Sequence, residues 1–226
     1  MEEIGAGGAD FARRKDGGGR DLDKIKLTGL EKRWILYDVG NSAFTLLIST
    51  IIPIYFNDLA GRAGISEVDY LAYWGYAASL ATAIVAVIGP VLGTIADTQN
   101  YKKPIFTASM MLGVLGCAAL SLPTTWIVAV FVLARVGYSA SLIFYDSMLV
   151  DVTDNNRMDV VSSHGYAWGY IGSCVPFVLS LGIVLFADAL GLTLRAAMAI
   201  AFCLNAAWWA LMSLPFLRSY RQTHFA

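Results

Sequence analysis

Asp38, Asn41, Ser42, Thr45 and Ser49 follow one another at the three- and four-residue steps of one helical face. They interrupt a stretch otherwise dominated by Trp, Ile, Leu, Val, Ala and Phe. A second apolar stretch carries Arg135, Ser139 and Asp146. Eleven residues separate its two charges, about three helical turns or ~16 Å, so both lie on one face. Carboxylates and hydroxyls on such stripes can bind a cation, exchange a proton or hold a polar solute. The guanidinium of Arg135 can meet an anionic group such as a carboxylate. An ionisable group inside a membrane span costs about 2.5–3.5 kcal/mol on insertion scales, so it faces the bundle interior or water. Plainer roles stand beside these. Asp38, one turn inside the span, can simply reach headgroups, and Arg135 can form a structural ion pair with an acid or a backbone carbonyl. The deeper Thr45 and Ser49 favour a water-accessible cavity wall. Tyr37-Asp38 is echoed by Tyr145-Asp146, and because the two stretches run oppositely, both carboxylates fall at similar depth.

Other chemistries find little support. No HExxH, nucleophile elbow or Walker A motif occurs, and Gly17-Gly18-Gly19 lacks the strand–loop–helix context of a phosphate loop. Cys117, Cys174 and Cys203 have neither zinc-site nor disulfide spacing and read as small buried apolar residues. The reading is therefore no enzyme, no cofactor and no metal. An intramembrane enzyme would have to use Asp38 and Asp146, the one acidic pair at equal depth. A formal charge of −1 gives no reason to expect a nucleic-acid partner.

The elements that must position these residues are membrane helices. Hydrophobic residues make up 57% of the chain and charged ones 15%, and the apolar residues gather into six stretches. A helix needs about 20 residues to cross the hydrocarbon. The predicted spans are 34–57, 70–97, 104–122, 125–149, 162–187 and 195–217, separated by short polar breaks. Strands would leave backbone groups unpaired in lipid, and no period-two alternation suggests a barrel. The fold class is thus an all-α polytopic membrane protein. Eight Lys and Arg precede the first span, and Lys102, Lys103, Arg157, Arg218 and Arg221 fall on that same side, against Arg62 and Arg195 opposite. The positive-inside rule makes both termini cytoplasmic. Residues 1–33, glycine-rich with mixed charge, read as a flexible tail, and 218–226 as a cytoplasmic end. Gly89 and Gly93 form a small-xxx-small pair for close helix approach; Gly165, Gly169 and Gly172 also read as packing positions. Tyr70, Tyr73, Trp74, Trp126, Trp208 and Trp209 read as interfacial anchors, and His164 as incidental.

The loop after the second stretch, Gly93-Thr-Ile-Ala-Asp97-Thr98-Gln-Asn100-Tyr101-Lys102-Lys103-Pro104, resembles the signature of the major facilitator superfamily. It departs at Thr98 and Asn100-Tyr101, where that pattern favours a basic residue and then Gly-Arg. Arg135-Val136-Gly137 partly resembles the superfamily's fourth-helix motif. Tyr37 to Phe44, Gly89-Pro90-Val91-Leu92-Gly93, Phe144 to Leu149 and Ser162 to Gly172 are similar to its vacuolar-effluxer branch, whose fungal members are implicated in exporting amino acids.

The resemblance covers nearly all of 34–217 and implies one six-helix half (a 3+3 inverted repeat) of a secondary transporter. Its first and fourth spans would line the central cavity. Gly93, Asp97, Lys102 and Lys103 would form a cytoplasmic latch. The implied partners are the lipid bilayer, a small solute, and a second six-helix half or a second copy. A non-transporting interaction or regulatory subunit is the alternative. The implied setting is a bacterial cell membrane, or a vacuolar membrane in a eukaryote.

Overall fold

A computed structural model describes residues 26–122 and 126–225. Most of the expected tail, with Arg13-Arg14-Lys15, and the break at Pro123-Thr124 lie outside the described residues. Helix α1 (Gly29–Leu46) runs through a π-helical turn, Leu47–Ile51, into α2 (Ile52–Arg62). Then come α3 (Glu67–Ala96), α4 (Lys102–Ala119), α5 (Ile127–Ser147), the short α6 (Leu149–Val152), a 3-10 turn (Asn155–Arg157), α7 (Met158–Leu185) and α8 (Leu194–Ser219). No strand occurs among the described residues. Among the described residues, five helical segments are long and apolar enough to cross a membrane: α1 with α2, α3, α5, α7 with its 3-10 turn, and α8. The expected third span is present as α4, an 18-residue helix diluted at its start by Lys102 and Lys103.

Hydropathy locates the middle of each helix, and caps set its start. Thr28 caps α1 reciprocally with Glu31, so the helix begins at Gly29, inside the segment expected to be a flexible tail. Ser66 and Thr193 cap α3 and α8, again slightly ahead of the apolar run. The π turn lies just before Pro53, whose ring and missing N–H disturb the regular bonding of the preceding turn.

The core centres on α1, α4, α5 and α8. Trp34 and Tyr145 stack at 4.2 Å and exchange bonds, Trp34 Nε1 to the Tyr145 carbonyl and the Tyr145 hydroxyl to the Trp34 carbonyl. The Tyr37 hydroxyl donates to Ser141 Oγ at 2.8 Å, stitching α1 to α5 a second time. Phe44, Phe202, Trp209 and Phe216 are fully enclosed.

Several expectations change here. The tight approach lies between α4 and α5, where a Cβ on Gly137 would run into the Gly113 backbone. Gly93 has open space about it, and Gly89 meets only the end of Ile143. Trp209 belongs to the core rather than the interface, Trp74 stacks on Phe131, and Trp208 donates to the Val39 carbonyl. Of the cysteines, Cys117 alone is buried, while Cys174 and Cys203 are exposed.

Polar contacts fasten one end of the bundle. Arg157 grips Glu31 through Nε and Nη2 at 3.0 and 2.8 Å and also reaches the Lys26 carbonyl, while Thr153 donates to Glu31. Asp151 takes the Tyr220 hydroxyl, the backbone N–H groups of Thr223 and His224, and the Nζ of buried Lys102 at 3.6 Å. Residues 220–225 are therefore a strap rather than a loose end. Gln222 fastens it further, donating to the carbonyls of Ala96 and Thr98 and accepting from the Lys102 amide.

Candidate functional site

A cavity of about 170 Å³ opens between α1, α5 and α7. It extends along α1 from Trp34 to Leu46, roughly 18 Å at helical rise. From the expected stripe, Asp38, Asn41, Ser42 and Thr45 line it; from α5 come Tyr138, Leu142, Tyr145 and Asp146. Ser162, Tyr166 and Tyr170 of α7 complete the wall. Ser49 lies beyond it, in the π turn, bonded back to the Thr45 and Leu46 carbonyls.

The two carboxylates sit differently. Asp38 is 8% exposed and receives Asn41 Nδ2 at 3.4 Å, with Ser42 alongside. Asp146 is exposed. Neither has an ion-pair partner among the described residues. Asp38 owes its place to the glycines of α7: a Cβ on Gly169 would lie 2.9 Å from Asp38 Oδ2 and 3.0 Å from Ser42 Oγ. The glycines read as packing positions thus pack against the polar stripe itself. Deeper in, Thr45 Oγ1 and the Tyr138 hydroxyl share a 2.7 Å bond.

Arg135 and Ser139 are both half-buried and lie outside the cavity lining. The Arg135 Nε is enclosed without a hydrogen-bond partner among the described residues, so the carbonyl or acid expected to answer it is not found at that atom. The loop residues also divide. Lys102 turns inward, to Asp151 and the Ser147 carbonyl, and Lys103 reaches the Tyr220 carbonyl. Asp97 is exposed, and Gly93 is half-buried. Asn100 has φ +66°, a conformation glycine takes freely and asparagine tolerates better than most residues. Its departure from the signature therefore preserves the turn. Among the described residues no His, Cys, Asp and Glu cluster could hold a metal ion.

Trp34, Tyr138, Ser162, Tyr166 and Tyr170 were not singled out as cavity residues by sequence reasoning. The signal was the four-residue spacing of Ser162, Tyr166 and Tyr170. Beside Gly165 and Gly169 the same spacing equally suits helix packing.

Comparison with known proteins agrees with this architecture. Residues 31–224 match the family model described as vacuole effluxer Atg22 like. The chain is 36% identical over 207 residues to a Bacillus subtilis (strain 168) protein named as an uncharacterized MFS-type transporter, YxiO. That alignment takes in 88% of this chain and 48% of the relative, so the chain spans about half the relative's length.

Proposed function

We propose a function on one premise: the chain belongs to the family of vacuole effluxer Atg22-like proteins, multi-pass membrane proteins of the major-facilitator type. It forms one six-helix half of a secondary transporter that moves a small solute by alternating access. Amino acids are the best substrate class, by resemblance. A second six-helix half, or a second copy of this chain, closes the open side of the cavity. Both termini face the cytoplasm of a bacterial cell, or of a eukaryotic cell if the membrane is vacuolar. The observation that carries this reading is the cavity: a partly enclosed wall on three helices that bears two carboxylates, an amide and several hydroxyls within a largely apolar bundle. Rocking of one half against another around a site between them is how such bundles move a solute.

Asp38 holds a coupling proton or ion in this scheme, because it is buried on the cavity wall with no described cation beside it. The test is uptake of radiolabelled amino acids into proteoliposomes holding the intact transporter, with and without an imposed pH gradient. Asp38→Asn should abolish the pH-dependent component. Uptake that keeps its pH dependence in the variant would remove Asp38 from coupling.

A further inference from the structure

Three observations on the cavity wall point the same way. First, its charge has one sign. Asp38 and Asp146 line it, while no Lys, Arg or His does among the described residues, since Arg135 lies outside the lining. Second, the more enclosed carboxylate is met by neutral donors alone. Asp38 is 8% exposed and makes no ion pair among the described residues, although removing a carboxylate from water is costly unless a positive group meets it. Third, Tyr166 and Tyr170, one helical turn apart on α7, line the wall and are 62% and 65% exposed as residues. Neither is stacked on another ring among the described residues, unlike Trp34 and Tyr145, which cover one another. An aromatic face attracts an organic cation through its quadrupole, and more strongly where water is excluded.

We infer that this wall receives the ammonium end of the transported solute, with Asp146, and Asp38 once its coupling proton has left, as its counter-charges and the rings of Tyr166 and Tyr170 against its alkyl substituents. The hydroxyls of Ser42 and Thr45 and the side-chain oxygen of Asn41 accept from N–H groups. An anionic end, where the solute has one, is met from outside this wall. Two carboxylates alone would also suit a bare metal cation, but free aromatic faces favour a larger, weakly hydrated organic cation. The inference rests on the transporter reading above and adds to it the charge that this half selects.

The test measures the wall directly, in the intact transporter. Cys174 and Cys203, both exposed, are replaced by Ser, and Ser42→Cys is introduced as the reporter. Modification rates are measured with methanethiosulfonates carrying trimethylammonium, sulfonate or no charge, each relative to its rate with a free thiol. The cationic reagent should react about tenfold or more faster than the anionic one, the scale at which clefts of one charge bias ion entry. Asp146→Asn, at an exposed position, and Asp38→Asn should each bring the ratio toward one. Tetramethylammonium should protect the reporter from the neutral reagent, and equimolar sodium should not.

A ratio near one, or an anionic preference, at a reporter that reacts with the neutral reagent would overturn the ammonium assignment and leave the cavity intact. Equal protection by sodium would overturn the organic cation in favour of a metal ion. A reporter inert to the neutral reagent from both membrane faces, in a monodisperse protein, would overturn the cavity reading and this inference with it.

Discussion

Asp151 gathers more partners than any other carboxylate described and lies in none of the membrane-length helices. Burial acts to raise its carboxyl. The Tyr220 hydroxyl, the amides of His224 and Thr223 and the Thr223 hydroxyl outweigh that and hold it at about 2, below the usual 3.8. A carboxyl held low stabilises the fold at neutral pH, and that contribution is lost as pH falls from about 4 toward 2. Asp151→Asn should therefore lower stability at pH 7 by about 3 kcal/mol, because Lys102, 4% exposed, is left buried without its counter-charge. The variant should also lose less stability than the parent between pH 4 and 2. Thermal unfolding in detergent across that range checks both statements; parallel curves would show that Asp151 does not carry the acid sensitivity.

At the scale of elements, the α4–α5 seam depends on the absence of side chains. Besides the Gly113 amide, a Cβ on Gly137 would meet the Leu112 carbonyl carbon and the Ser109 carbonyl oxygen, both at 2.8 Å. These are backbone atoms that no rotamer change can move. Gly137→Ala should cost about 1–3 kcal/mol or prevent folding, the range for overpacked cores. Gly182→Ala, with nothing within 4 Å, should be neutral. Fluorescence-detected size exclusion after heating would separate the two, and equal melting would refute the seam. The helices were readable in the sequence because lipid demands long apolar runs. The α1 start was displaced because Lys32 and Arg33 masked the Thr28–Glu31 cap. The strap was unreadable: residues 220–225 carry no pattern, and Asp151 is 69 residues away from Tyr220 along the chain. The α1 side of the cavity was readable as a polar stripe. The α7 side was not, because tyrosines beside glycines look the same whether they pack or face a ligand.

For the whole molecule, the contacts of Lys26, Glu31, Thr98, Lys102, Asp151, Arg157 and His224 place both described ends of the chain on one face of the bundle. That face also carries most of the described Lys and Arg outside the spans, which by the positive-inside rule supports the proposed cytoplasmic placement. Arg221→Cys, exposed on the strap, should react with an impermeant maleimide in inside-out vesicles and remain unlabelled in intact cells. The reverse pattern would invert the topology and the direction in which the cavity faces.

The stretch around α6 and the 3-10 turn holds the start of α1 through Arg157 and Glu31, and the strap after α8 through Asp151. Residues 26–31 and 220–225 are thus fixed to one common clasp, which closes the described bundle into a ring held by non-covalent bonds. Such a ring has no obligatory first helix. A circular permutant that joins Phe225 to Lys26 by a flexible linker and opens between Asp188 and Thr193 should give the same helix content and a similar melting temperature. A permutant that fails to fold while an equally long insertion at 188–193 is tolerated would show that the order of helices, and not only their clasp, is needed.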